Sequence, residues 1–135
     1  MQIYTSSWFT YFGPGRVGIS QGVPRNMRAG YRLYKKLAPS WSLVRAGLPR
    51  SQYEPFYRED VLDRLDPGQV LDDLRRLSPE HPPVLLCYER PPFDEANFCH
   101  RHMVAEWLAA HIGQPVLEWS GPAESNRDSE TGRLL

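Results

Sequence analysis

The segment PPVLLCY at residues 82–88 constrains the fold most strongly, because it is continuously apolar from Val84 to Cys87 and begins after two prolines. An amphipathic helix or a half-exposed strand would interrupt such a run with polar residues. A strand inside a parallel sheet needs no interruption, because both faces of the sheet are covered. We therefore predict that this segment is the central strand of a small parallel sheet.

Further strands and helices are predicted on both sides of this strand. Apolar residues recur at intervals of three and four over residues 51–65, 67–77 and 100–112, which predicts three helices. Aromatic and β-branched residues predict strands at 3–8, 16–20 and 115–119, and residues 24–50 predict a long loop with one helical turn at 41–46. The fold class is α/β: a single compact three-layer domain over residues 1–120, with a small mostly parallel sheet flanked by helices.

Local signals predict where the helices begin and end. Ser51 and Glu54 have the spacing of a capping box, and Asp66 stands before Pro67 as an N-cap would. Gly113 follows the last helix, where a left-handed C-cap belongs. Residues 121–135 are polar with few apolar side chains, so we expect a disordered tail there.

Size and composition limit the class of protein. A chain of 135 residues with 41% hydrophobic residues can bury one core. No stretch reaches the ~18 apolar residues of a membrane span, and the first residues lack a basic leader, so we expect a soluble cytoplasmic protein without a membrane partner. The two cysteines are not spaced as CxxC, and a disulfide scaffold is not expected in such a chain.

Charge is divided unevenly along the chain although its formal sum is zero. Residues 1–50 contain eight Lys or Arg and no Asp or Glu, so the remaining residues carry the matching negative excess. Basic groups among aromatic residues are typical of surfaces that bind nucleic acid, and the predicted patch is Arg25, Arg28 and Arg32. Alternatively, the basic segment folds against the acidic helices and is neutralised there.

The segment CYERPPFDEANFCHRH at residues 87–102 joins the predicted central strand to the next helix. Ligands of parallel sheets bind at the carboxyl ends of the strands, which is where this segment lies. One interpretation is an anion site, in which Arg101 and the helix N-terminus bind a phosphate together with Thr5 and Ser6 of the first strand. A second is catalysis, with Cys99 as a nucleophile, Glu89 as a nucleophile or base, and His100 assisting proton transfer.

A third interpretation is a metal site. Cys87, Cys99 and one or both of His100 and His102 are chemically suited to zinc, although their spacing matches no zinc motif; the set we predict is Cys87, Cys99 and His102. No other cofactor is expected. Each residue also has a structural explanation: Cys87 as a small core residue, and Arg101 as the partner of Glu89 or another acidic residue of the loop.

Several segments together resemble a known family. The strand IYTS, the segment GISQGVP, the phrase LAPSW, and above all LLCYE followed by FCHRHMVAEWL are similar to the bacterial and phage family called domain of unknown function 488. The resemblance covers about residues 2–120 and implies a compact α/β fold. It also implies a shared site at the positions listed here: Cys87, Glu89, Cys99, His100 and Arg101.

We therefore expect a protein that binds a phosphate-bearing ligand, either a nucleotide or nucleic acid. If it is an enzyme, we expect a hydrolase or transferase that acts on that ligand. The alternative is a non-catalytic binding or adaptor module in which zinc or hydrogen bonds hold the Cys/His loop together. The resemblance does not supply a substrate.

Overall fold

The computed structural model describes residues 1–121, and these contain a five-stranded parallel sheet. The strands are β1 (Tyr4–Ser7), β2 (Arg16–Gly18), β3 (Arg32–Leu33), β4 (Val84–Cys87) and β5 (Leu117–Glu118). Their order in the sheet is β3-β2-β4-β1-β5, and every pairing is parallel. The predictions of an α/β fold and of a central strand at residues 84–87 are confirmed.

Four α-helices accompany the sheet in the described residues. They are α1 (Trp41–Arg45), α2 (Arg50–Asp60), α3 (Pro67–Leu77) and α4 (His100–Ile112), with short 3-10 turns at 35–37 and 62–64. The predicted ends of two helices are confirmed, because the Asp66 carboxylate accepts a hydrogen bond from Gln69 N at 3.0 Å and Gly113 is left-handed with φ 72°. The predicted capping box is wrong. The Ser51 side chain does not cap α2, and Glu54 instead pairs with Arg50 and Arg58.

The two faces of the sheet are covered differently. The helices pack on the face that presents Val17 and Leu85, and residues such as Leu74 and Leu108 fill this main core. The opposite face presents Val84 and Leu86 and is covered by irregular chain. Tyr4 of β1 also lies on this face, and the covering side chains are mostly aromatic: Trp8, Tyr11, Val23, Met27, Tyr31 and Trp119. The third layer of the domain is therefore built from loops rather than from regular helices.

The basic N-terminal segment is partly neutralised by the acidic helices. Lys36 lies 3.8 Å from Asp73, and Arg50 pairs with both Glu54 and Glu106. The predicted tail lies outside the described residues from residue 122 onward. Within residues 1–121, no helix is long and apolar enough to cross a membrane.

Candidate functional site

A pocket of about 590 Å³ opens at the carboxyl ends of β2 and β4. Short α1 and the first turn of α2 form one wall, and the loop before α4 forms the other. Its walls are largely apolar and aromatic, with contributions from Pro39, Trp41, Leu43, Val44, Leu48, Tyr53, Tyr88 and Phe98. Its chemically reactive side chains are Cys87, Glu89, Cys99 and His100. The pocket lies at the carboxyl ends of the strands, where the segment 87–102 was expected to lie, and the structure brings residues 87 and 99 together there.

Cys87 and Cys99 are joined by a disulfide whose Cα atoms are 6.9 Å apart. Cys87 ends β4 and Cys99 immediately precedes α4, so the bond closes the loop of residues 88–98 at its base. The sequence did not predict a disulfide scaffold, and it left open whether these two cysteines approach each other. Spacing along the chain did not indicate it, because the parallel sheet and α4, rather than local sequence, bring the two residues together.

Glu89 is the only carboxylate among the residues that line the pocket, all of which lie within residues 1–121. Its Oε1 lies 3.9 Å from Cys87 Sγ. Burial raises the pKa of Tyr53 across the pocket, and the charge of Glu89 raises it further. The Tyr53 hydroxyl therefore stays protonated at neutral pH, and Glu89 presents the negative charge of the site.

His100 is buried and neutral. Its Nε2 lies 2.7 Å from the Ile19 carbonyl oxygen; since a carbonyl only accepts hydrogen bonds, Nε2 carries the proton. Nδ1 then presents a lone pair 3.7 Å from Cys99 Sγ. Burial lowers the pKa of His100 to about 4, with a smaller contribution in the same direction from the charge of Arg101. At neutral pH His100 can accept a proton or a metal at Nδ1, but it is not a proton donor to a ligand.

Arg101 lies beneath the pocket with no exposed surface. Its guanidinium binds the Glu118 carboxylate through two hydrogen bonds, of 3.1 and 2.7 Å, and it also donates to the Glu89 carbonyl at 2.8 Å. A further N–H points at Cys87 Sγ, 3.2 Å away. The anion that Arg101 holds is therefore a carboxylate of the chain itself.

Glu118 also binds two other residues that the sequence singled out. Thr5 Oγ1 donates to it at 2.6 Å, and His102 Nε2 lies 3.1 Å from the same oxygen. Burial alone would raise the pKa of Glu118, but hydrogen bonds from His102, Arg101 and Thr5 and the charge of Arg101 lower it to about 2. Ser6 is buried in β1, and neither Thr5 nor Ser6 lines the pocket.

Within the part of the chain that the structure describes, Cys87, Cys99 and His100 form a cluster that could share a metal ion. Their ligand atoms all lie within 4.8 Å of one another. His102 packs instead against Phe93 and Glu118. The structure therefore places His100 beside the two cysteines, whereas the set predicted from the sequence contains His102. The thiols could serve as ligands only when the disulfide is reduced.

The predicted nucleic-acid patch does not reach the pocket. Arg25 and Arg32 are exposed, whereas the Arg28 guanidinium donates to the Phe12 carbonyl and the Arg28 carbonyl accepts from Arg16. None of the three lines the pocket at the carboxyl edge.

Sequence reasoning missed the pocket walls and Glu118. Trp41 ends the LAPSW segment of the family resemblance, but no role was assigned to it, and Tyr53 was predicted only as part of a helix. The packing of α1 and α2 against the sheet brings both to the pocket. For Glu118 there was a signal, because it lies within the predicted strand 115–119 and so had to reach the sheet that also contains Thr5.

The fold and this pocket define a parallel α/β protein with a ligand-sized site at the carboxyl edge of its sheet. The family model DUF488-N3a, described as the active DUF488-N3 subclade, matches residues 14–112. The chain therefore belongs to the DUF488 family, as the motifs at residues 85–89 and 98–108 predicted. No curated protein and no solved structure matches it.

Proposed function

We propose that the pocket binds a small organic ligand with an aromatic ring, such as a nucleoside or a nucleotide, and that the chain hydrolyses or transfers a group on it. One observation carries this proposal: a pocket of about 590 Å³ combines apolar and aromatic walls with a single carboxylate, Glu89. Apolar pockets with few polar groups are typical of small-molecule sites. The description of the matching subclade as active supports a catalytic role.

The charges around the pocket favour a ligand whose ring enters first. Among the described residues 1–121, no Lys or Arg lines the pocket, and Glu89 would repel a phosphate placed deep inside it. At the rim, the Arg45 guanidinium lies 5.4 Å from the centre of the half-exposed Trp41 ring. A phosphate attached to the ligand would therefore lie near this rim or at the uncapped start of α4, whose backbone N–H groups favour anions.

Glu89 is the reacting group in this proposal. It acts as nucleophile or general base, because Cys99 is held in the disulfide and the neutral His100 donates its only ring proton to Ile19. Arg101 positions the loop around Glu89, because it binds the Glu89 carbonyl directly.

The test compares binding with turnover in a panel of nucleosides and mononucleotides. Glu89→Gln should keep ligand affinity within a few-fold by calorimetry and lower turnover by about 10²–10⁴-fold, the usual contribution of a positioned acid or base. Glu59→Gln, an exposed change outside the pocket, is the matched control and should leave both unchanged. If no compound of the panel binds, or if both variants turn over equally, the proposal is wrong.

A second candidate is a structural zinc site in the reduced protein. It is favoured by the cluster of Cys87, Cys99 and His100, because thiolates and an imidazole are the usual ligands of zinc. The hydrogen bond from Nε2 to the Ile19 carbonyl leaves Nδ1 of His100 available, as is common for histidine ligands. Zinc would then join β4 to α4 in place of the disulfide.

Elemental analysis of the reduced protein after equilibrium dialysis against zinc tests this candidate. We expect one zinc per chain, lost in His100→Gln and retained in His102→Gln, the matched control. Retention in His100→Gln with loss in His102→Gln would instead support the ligand set predicted from the sequence. Absence of zinc from the reduced wild type would exclude a structural zinc site.

A further inference from the structure

The disulfide lies in the wall of the pocket rather than in the closed core. Cys87 and Cys99 are only 1% and 2% exposed, yet both are among the residues that line the pocket, so a small molecule inside the pocket lies next to them. A bond that exchanges with thiols must be accessible to them.

The surroundings of the two sulfurs differ. Cys99 immediately precedes the uncapped N-terminus of α4, a position that stabilises a thiolate. Cys87 ends the central strand, where an N–H of the fully buried Arg101 points at its sulfur from 3.2 Å. A thiolate that forms at Cys87 would therefore accept a hydrogen bond from a cation that is already in place.

From this geometry we propose that Cys87 and Cys99 form a reversible dithiol–disulfide couple, which exchanges with small neutral thiols and organic disulfides that enter the pocket. Cys99 is the sulfur that reacts with the incoming molecule. Cys87 is the leaving group on reduction and the resolving thiol on oxidation. This chemistry is separate from the reaction proposed for Glu89 and does not depend on it.

The exchange balances as a two-electron reaction. An incoming thiolate attacks Cys99 Sγ; the bond between Cys99 and Cys87 breaks, and Cys87 leaves as a thiolate that is hydrogen-bonded by Arg101. A second thiolate then attacks the incoming sulfur of the mixed disulfide and releases Cys99. Two external thiols are thereby oxidised to one organic disulfide, and their two protons pass to Cys87 and Cys99.

The charge in the pocket favours a reactant that carries no charged group besides the sulfur that reacts. Glu89 Oε1 lies 3.9 Å from Cys87 Sγ, and the pocket-lining residues within 1–121 include no Lys or Arg to offset its charge. An anionic disulfide would meet this carboxylate on entry. We therefore choose 2-mercaptoethanol and its disulfide as the probe.

The folded full chain is equilibrated in graded mixtures of this thiol and disulfide, acid-quenched, alkylated and weighed by mass spectrometry. The chain contains only two cysteines, so each alkylation is unambiguous. As the share of reduced probe rises, we expect the number of alkylated cysteines per chain to change from none to two in a single reversible transition, without denaturant. If the thiols react only after unfolding, the bond is structural and the proposal is wrong.

The roles of the two sulfurs are tested with single variants exposed to the oxidised probe. Cys87→Ser should accumulate one mixed disulfide on Cys99, at least tenfold faster than Cys99→Ser accumulates one on Cys87. Cys87→Ala is used if serine unfolds the apolar strand, with folding checked by circular dichroism. Equal rates, or faster reaction of Cys99→Ser, would overturn the assignment of Cys99 as the reacting sulfur.

Discussion

At the scale of the residue, the arginine of the Cys-His-Arg motif, Arg101, has a role that the spacing of the motif did not reveal. Arg101 was expected to bind an external anion, yet its guanidinium connects Glu118, the Glu89 carbonyl and Cys87 Sγ beneath the pocket. It joins the ends of β4 and β5 to the first turn of α4. This one buried cation thus fixes the surroundings of Cys87 and of the Glu89 backbone.

Replacing Arg101 with lysine should destabilise the fold. Lysine keeps the charge but cannot make two parallel bonds to Glu118 while also reaching the Glu89 carbonyl. Breaking a buried pair costs about 3–5 kcal/mol, and we expect about 3 kcal/mol here because the Glu118 side chain is 34% exposed. Urea unfolding measures the loss in free energy.

Arg75→Lys is the matched control for this change. Arg75 pairs with Asp72 on the surface of α3, where both side chains are more than half exposed. Exposed pairs contribute little, so this variant should remain within about 0.5 kcal/mol of the wild type. Equal unfolding free energies for the two variants would show that Arg101 is not an organising residue.

At the scale of the element, the sequence predicted what periodicity and composition encode. The apolar run at 84–87, the Asp66 cap and the Gly113 C-cap each depend on local physics, and each was correct. The edge strand β3 was missed because its two residues, Arg32 and Leu33, are exposed and carry no pattern. The disulfide and the pocket walls were missed because they depend on contacts between segments distant in the chain.

The aromatic layer makes a prediction at Gly18 of β2. A Cβ atom there would lie 2.3 Å from Cζ2 of Trp8, whose fully buried ring is held by a hydrogen bond to Ser20. The ring cannot move away without losing this bond. Gly18→Ala should therefore lower the free energy of unfolding by about 2 kcal/mol, within the usual range for overpacking, as measured by urea titration.

The control is Gly22→Ala in the same segment. Its Cβ would have one neighbour, the Tyr88 hydroxyl at 3.4 Å, on a side chain that is itself exposed. We expect a change within about 0.5 kcal/mol. If Gly18→Ala is tolerated as well as this control, the contact between Trp8 and the strand is looser than the structure indicates.

At the scale of the whole molecule, two polar clusters lie on the helix-covered side of the sheet and are sensitive to protons. Glu118 must remain charged to hold Arg101, and His100 must remain neutral to fit its buried position. Both requirements make the folded state take up protons less readily than the unfolded chain. Stability should therefore fall as the pH is lowered through two successive windows.

The first window belongs to His100. Its pKa is about 4 in the folded protein and 6.5 in its ordinary state, so the unfolded chain binds the proton first as the pH falls. The contribution of His100 to the free energy of unfolding is fully present above pH 6.5 and is lost as the pH falls toward 4. The difference between the two pKa values corresponds to roughly 3 kcal/mol. The second window belongs to Glu118, whose stabilisation is lost between pH 4.5 and about 2.

Urea unfolding between pH 7.5 and 4 separates His100 from the other groups. In His100→Gln, the glutamine amide can donate the hydrogen bond to the Ile19 carbonyl and does not take up a proton. The decline in the free energy of unfolding between pH 6.5 and 4 should therefore be smaller in this variant. His81→Gln, at an exposed histidine, should follow the wild-type curve. A His100→Gln curve that stays parallel to the wild type over this range would mean that His100 becomes charged inside the folded protein. In that case the site beside Cys99 would contain a proton donor at mildly acidic pH, and the role of Glu89 as sole reacting group would have to be revised.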